Sequence, residues 1–270
     1  MIRFAGAILG LLTLAPAQAQ GPEPLEIRHI ANMGVLVGQG EDKALFDPLG
    51  ADSYGTYRVA DDAERAAIIA GSGTFFGVDL AIFSHRHGDH FDADDALAFL
   101  RAGAERRIIA PDETLDLIRN AAAGSGDFLA APTPLGAGMG CLGAAAPCDA
   151  HAQGGIEGAE LFHMADVDNI GFLVTIGDYR VLHLGDTQPR VADFSVLDDF
   201  EVDVLLYPYW FAEMAEGRAQ LEGRFADARQ IALHIPERVT HDQARAVFGE
   251  GGYLIEPGQT IILQDFGAGR

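Results

Sequence analysis

The run Ser84-His85-Arg86-His87-Gly88-Asp89-His90 follows directly on the apolar stretch Val78 to Phe83 and constrains this chain more than any other feature. Three imidazoles and one carboxylate in so short a span offer borderline nitrogen donors and one hard oxygen. That mixture suits zinc, iron or manganese rather than calcium or magnesium. Val78 to Phe83 reads as a buried strand, and the loop leaving it can aim His85 and His87 at one ion. Asp89 and His90 fall at the start of the next helix, where Asp92, Asp94 and Asp95 supply a cap and first-turn negative charge ahead of Ala96 to Leu100. Neighbouring residues diverge there, so Asp89 and His90 can reach a second ion beside the first. The pattern reads as a binuclear metal site; the competing reading is a surface cluster of solvated histidines.

At 270 residues and 49% hydrophobic the chain can bury a sizeable core. One domain over residues 20–270 is expected rather than two small ones. Residues 1–19 stand outside it. Arg3 precedes an apolar run to about Ala15, and Ala17-Gln18-Ala19 has the small-residue pattern of a signal-peptide cleavage site. The run is short for a membrane span, so export to the periplasm or beyond is expected, without stable membrane insertion after cleavage. The formal charge is −22, and losing a segment whose one charged residue is Arg3 makes it one unit more negative. Such a surface argues against nucleic acid and anionic membranes and for a small, neutral or singly charged substrate. Cys141 and Cys148, an even pair at short separation, suggest a disulfide in an oxidising compartment, with two free thiols as the alternative.

Helices are predicted over Asp61 to Ala70 and Pro111 to Ala123, and short strands over Arg107 to Ala110, Val202 to Tyr207 and Thr260 to Leu263. Thr240-His241-Asp242-Gln243 looks like a capping box opening a helix through Phe248. The stretch from Gly124 to Gly158 lacks periodic pattern and is expected to form a lid or insertion stiffened by the cysteine bridge.

Beyond the histidine run the sequence resembles the metallo-β-lactamase superfamily. Leu161-Phe162-His163-Met164 ends an apolar segment, Asn169 to Thr187 reads as a hairpin closing in Gly185-Asp186-Thr187, and Gln230 to Pro236 resembles the superfamily's last ligand strand around His234. Ile27 to Val37, with Ala44-Leu45-Phe46-Asp47-Pro48, resembles its first hairpin. The resemblance implies an α+β fold, a four-layer αββα sandwich. It assigns His85, His87 and His163 to one metal, Asp89, His90 and His234 to the other, and Asp186 as a bridge between them. His151 competes with His163, and His241 with His234. His183 reads as a hydrogen-bonded core imidazole or one that supports the ligands, and His29 as structural.

The chemistry so implied is metal-assisted hydrolysis: two divalent ions, zinc with manganese and iron also compatible, share a bridging hydroxide that attacks a carbonyl or phosphoryl centre. Asp89 would also orient that hydroxide by hydrogen bonding. Tyr209 and Trp210, in Tyr207-Pro208-Tyr209-Trp210-Phe211, are candidates either for a substrate pocket or for core packing. Ser53, Tyr54 and Tyr57 are weaker pocket candidates. Phe91-Asp92 after the motif and Asp186 as a bridge are unlike the three-histidine β-lactamases and resemble the lactonase-like branch, so a small ester, lactone or phosphodiester is the expected substrate. The di-iron redox branch usually has Glu where this chain has His87. A non-enzymatic exported metal-binding or sensing domain is the alternative of a different class. Oligomeric state is not legible.

Overall fold

The structure is a computed structural model in which residues 23–126, 129–144, 148 and 155–264 are described. The expected signal peptide and His151 lie outside these residues.

Three consecutive antiparallel strands open the chain: β1 (Leu25–Ala31), β2 (Gly34–Gln39) and β3 (Asp42–Phe46). Their alternation sends Leu25, Ile27, Val35, Val37, Ala44 and Phe46 to one face and Ile30, Leu36 and Leu45 to the other, all buried. Both faces are thus covered, which makes this sheet an internal layer. It extends through β4 (Leu80–Ile82), β5 (Arg107–Pro111), β6 (Thr133–Gly136), β7 (Met139–Gly143) and β13 (Thr260–Leu263), in the order β13-β1-β2-β3-β4-β5-β7-β6. A second sheet of β8 (Ile156–Glu160), β9 (Ile170–Ile176), β10 (Tyr179–His183), β11 (Val204–Pro208) and β12 (Arg229–Leu233) has the order β12-β11-β10-β9-β8.

The apolar side chains between the sheets form one core, which joins Phe46, Ile82 and Ile109 to Phe172, Val181, Leu206 and Leu233. The outer face of the first sheet packs against α1 (Asp62–Ala70), α2 (Ala93–Arg101) and α3 (Asp112–Gly124) through Ile68, Leu97, Leu100, Leu115 and Ile118. The outer face of the second packs against α4 (Trp210–Glu213), α5 (Ala215–Glu222) and α6 (His241–Phe248) through Phe211, Leu221 and Ala244. Four layers result, αββα, as the resemblance implies. Three of the helices begin where side chains cap them: Asp61 accepts from Glu64 N, Asp92 from Asp95 N, and Thr240 and Gln243 form the reciprocal capping box. Among the described residues no helix is long and apolar enough to cross a membrane.

Within each sheet one group of strands is parallel: β3, β4 and β5 in the first, β10, β11 and β12 in the second. Loops leaving the carboxyl ends of such strands gather at one rim, where open α/β sheets build their sites.

The stretch from Gly124 to Gly158 departs from the expected lid. Its described residues carry β6 and β7, which extend the first sheet through pairs such as Ile109↔Cys141, and the start of β8, which edges the second. Strands of four or five residues interrupted by Gly136, Gly140 and Gly143 show too little alternation to be read. Cys141 on β7 is bonded to Cys148, with a Cα–Cα distance of 5.9 Å. Closing so short a loop restricts the unfolded chain by about 2 kcal/mol. A Cys141→Ala/Cys148→Ala variant is therefore expected to melt about 4–8 °C lower, and a thermal scan showing no difference would refute that contribution.

Candidate metal centre

Four loops at the common rim bring the sequence-derived residues together. His85, His87, Asp89 and His90 follow β4, His163 follows β8, Asp186 follows β10 and His234 follows β12. They form two donor groups, His85, His87, His163 and Asp186 in one and Asp89, His90 and His234 in the other, each with its ligand atoms within 4.8 Å of one another. His241 stays outside, on α6, with Nδ1 3.2 Å from the Tyr253 hydroxyl.

In the first group His87 Nδ1 faces His85 Nε2 at 3.0 Å and His163 Nε2 at 3.2 Å, and Asp186 Oδ2 lies 3.9 Å from both Nε2 atoms. Burial holds His85 well below the usual imidazole range and lowers His87 and His163 as well. These three rings, neutral at neutral pH, turn nitrogens toward the same small space. Ser84 Oγ, 2.9 Å from His85 Nδ1, fixes the back of the first ring.

In the second group His90 Nε2 and His234 Nε2 are 3.2 Å apart, and Asp89 Oδ2 lies 3.6 and 3.3 Å from them. Asp186 Oδ1 reaches this group too, 3.2 Å from His90 Nε2 and 3.1 Å from His234 Nε2. Burial opposes charge on His90, but Asp186, Asp89 and Asp47 outweigh it and hold the ring well above its ordinary range; His234 is raised by Asp186 and Asp89 against the same opposition. Burial likewise opposes ionisation of Asp186, and His234 and His90 overcome it, so its carboxyl lies well below the usual range. A negative field that favours a proton on these rings also favours a metal cation.

The donor set fits such a cation. Asp186 Oδ1 is buried without a hydrogen bond even though two ring nitrogens stand beside it, so the three atoms face one another without an N–H aligned between them. Imidazole nitrogens and carboxylate oxygens in two adjoining groups are the donors that zinc, manganese and iron take.

Residues with no role legible in the sequence hold these donors in place. Asp47 Oδ2 lies 2.8 Å from His90 Nδ1 and accepts from Ser84 Oγ at 2.6 Å, while its Oδ1 accepts from Ser84 N at 2.6 Å. Asn32 Nδ2 donates to Asp89 Oδ2 at 2.9 Å, and Asn32 O accepts from His234 N at 3.2 Å. Asn169 Oδ1 accepts from Asp186 N at 3.0 Å, which fixes the turn that carries the Asp186 carboxylate. Gly185 in that turn has φ 55°, and a Cβ there would collide with Asn169 Oδ1. Asn32, Asp47 and His234 themselves have φ of 50°, 42° and 59°. Left-handed backbone at non-glycine positions is strained, and here it is concentrated around the donor groups.

His183 and His29 take structural places: His183 Nε2 is 3.1 Å from Met33 O, and His29 Nε2 is 3.1 Å from Asn32 O. Tyr57 packs edge-on to His234 with ring centroids 4.1 Å apart, and Trp210 does so from 5.0 Å while donating to Thr187 O. Tyr209 packs against Trp210, and both also abut the outer core of the second sheet. The Tyr54 hydroxyl accepts from Gly88 N at 3.1 Å, so the loop after β3 borders the site, whereas Ser53 Oγ turns back to accept from Gly55 N in its own loop. Burial, with Tyr209, Asp186 and Asp89 nearby, pushes Tyr57 up to about 12. Asp89, His90, His85 and His234 are buried, while His87 and His163 are half-buried, so the first group faces the approach from solvent.

No protein-family model matches the chain, and comparison with curated proteins gives no match. Solved structures do match over nearly its whole length. The metallo-β-lactamase fold protein YhfI from Bacillus subtilis is 18% identical, with 89% of this chain and 99% of that one covered at a TM-score of 0.53. The isothiocyanate hydrolase from Delia radicum gut bacteria is 19% identical, with 88% and 98% covered at 0.55. The short form of human tRNase Z is 14% identical, with 88% and 99% covered at 0.51. Identity this low speaks to architecture, and on that evidence the chain has the metallo-β-lactamase fold.

Proposed function

We propose that the protein is an exported, binuclear metal-dependent hydrolase of a small ester, lactone or phosphodiester. The observation that carries this reading is the convergence of seven donor side chains into two adjoining groups that share Asp186. In it His85, His87 and His163 would hold one divalent ion and Asp89, His90 and His234 the other, with the Asp186 carboxylate, which reaches both groups, contributing to each. When bound, the ions supply Lewis acidity toward the scissile carbonyl or phosphoryl oxygen and make water a competent nucleophile near neutral pH. Zinc suits the nitrogen-rich set, with manganese and iron as the alternatives.

The chain's own residues then divide the remaining tasks. Asp89, oriented by Asn32, accepts a hydrogen bond from the attacking water and directs it at the substrate. Tyr57 keeps its proton at neutral pH and can donate a hydrogen bond beside the centre. Tyr209 and Trp210 form the wall on the His234 side, and substrate enters past His87 and His163. Export is supported by the composition of residues 1–19 and by the Cys141–Cys148 bridge, which belongs to an oxidising compartment. The fold is shared with a tRNase, so the case for a small substrate rests on charge: a chain at −22 repels a polyanion at long range.

Elemental analysis of protein purified without chelator tests the centre, and two equivalents of metal per chain are expected. Turnover on a panel of esters, lactones, phosphodiesters and isothiocyanates tests the enzyme. Asp89→Ala should lower kcat by roughly 10²–10⁴-fold, the usual scale for a lost acid–base group. Full turnover by that variant with both metals retained would sink the mechanism, and metal uptake with no turnover on any substrate would favour a binding or sensing domain.

A further inference from the structure

Two of the three histidines in the first donor group flank Arg86, whose side chain points away from them. Arg86 Nε donates to Glu113 Oε2 at 3.0 Å, and its terminal nitrogen donates to Asp166 O at 2.6 Å. The other Glu113 oxygen accepts from Asp168 N at 2.9 Å. Three segments meet in this clasp: the loop of His85 and His87, the first turn of α3, and the loop of residues 161–169 that carries His163.

The third of these depends on the clasp more than the others. His85 and His90 are fixed from behind by Ser84 and Asp47, whereas His163 Nδ1 is buried without a hydrogen-bond partner. The ring must be aimed by its backbone. That backbone is closed at its base by Leu161 N to Asn169 O, is tied beside His163 by Gln188 N to Phe162 O at 2.8 Å, and carries two exposed side chains, Phe162 and Met164. Its far side, Asp166 to Asp168, is held by Arg86 and Glu113. The pair is about one-third exposed, 33% and 29%, so solvent screening leaves it a weak contributor to global stability. Its geometric effect is the larger one, because a planar guanidinium and a two-oxygen carboxylate together tie the three segments to one another.

We propose that Arg86 and Glu113 are positioning residues that aim His163 at His85 and His87, and so set the affinity of the first metal independently of the second. The inference rests on the binuclear reading above. Competitive zinc titration against a chromophoric chelator, repeated with cobalt for its absorption spectrum, separates the two ideas. The variants are Glu113→Ala, Arg86→Lys and His163→Ala, with Asp95→Asn as a control that removes a comparable half-buried ion pair between α1 and α2.

Wild type and the Asp95→Asn control should bind two equivalents alike. Glu113→Ala and Arg86→Lys should weaken one equivalent by roughly 10–100-fold, the scale seen when residues supporting a ligand are lost, and leave the other unchanged. Lysine keeps the charge but cannot span Glu113 and Asp166 together, so it should not rescue. Adding Glu113→Ala to His163→Ala should change nothing further, since both act on one ligand. Wild-type affinity for both equivalents in the clasp variants would overturn the proposal, as would equal loss of both with a lower melting temperature of the chelator-treated protein. No metal uptake by the wild type would overturn the binuclear reading itself, and the clasp with it.

Discussion

Asp186→Asn is expected to lower kcat/KM by roughly 10³-fold, about 4 kcal/mol of lost transition-state stabilisation, and to leave the protein unable to retain two equivalents of metal after dialysis. Asparagine keeps the shape of the side chain, and Asn169 and Gly185 keep the turn, so the substituted residue should occupy the same place. What changes is charge. The Asp186 carboxylate faces His90 and His234 through one oxygen and His85 and His163 through the other, and its negative charge is the main influence raising His90 and His234 against burial. An amide in that position offers one weak oxygen donor and one NH2 group, whose hydrogens point at lone pairs the imidazoles need for metal. Elemental analysis and steady-state kinetics on the same preparation check the result. Two equivalents retained with kcat/KM within about tenfold of wild type, a barrier change of only about 1.4 kcal/mol, would remove Asp186 from its bridging place.

The ligand set and the architecture differ in how far the sequence discloses them. The four donors from His85 to His90 share one loop, so their spacing alone shows that they can converge. His163, Asp186 and His234 are visible only as positions in an order, because nothing local says that loops after β8, β10 and β12 meet at one rim. The supporting residues are less visible still. Asp47 and His90 are 43 positions apart, and Asn32 and Asp89 are 57, so each pair exists only once β1 to β4 have assembled. The left-handed backbone of His234 is equally hidden, since Ile231-Ala232-Leu233-His234 reads as a strand continuing through the histidine. Helices with caps are easier: Asp61, Asp92 and Thr240 mark their helix starts in the sequence because the capping interaction is local. Short strands such as β7 and the edge strand β6 draw their stability from partners elsewhere and leave no periodic trace.

Asp47 should be the most sensitive residue outside the donor groups. Its carboxylate is buried and takes Ser84 N, Ser84 Oγ and His90 Nδ1 together, with φ 42° supplying the backbone direction. A hydrogen on His90 Nδ1 donated to Asp47 leaves the Nε2 lone pair free, so this carboxylate selects the tautomer that a metal in the second donor group would require. Asp47→Asn cannot reproduce it. With the amide oxygen toward His90 its N–H group meets Ser84 N–H, and with the amide turned over its N–H group meets His90 Nδ1 and forces the hydrogen onto Nε2. The expected result is a loss of roughly 10–100-fold in affinity for one metal equivalent at a modest cost in stability. Asp47→Ala goes further, since it strands Ser84 N–H and His90 in the core; breaking a buried charged pair of this kind costs about 3–5 kcal/mol. Urea unfolding of the chelator-treated variants separates the two effects, because it reads stability without metal. If Asp47→Asn bound both equivalents as tightly as wild type, the tautomer of His90 would have to be set by its metal-facing neighbours, Asp89 and Asp186, rather than from behind.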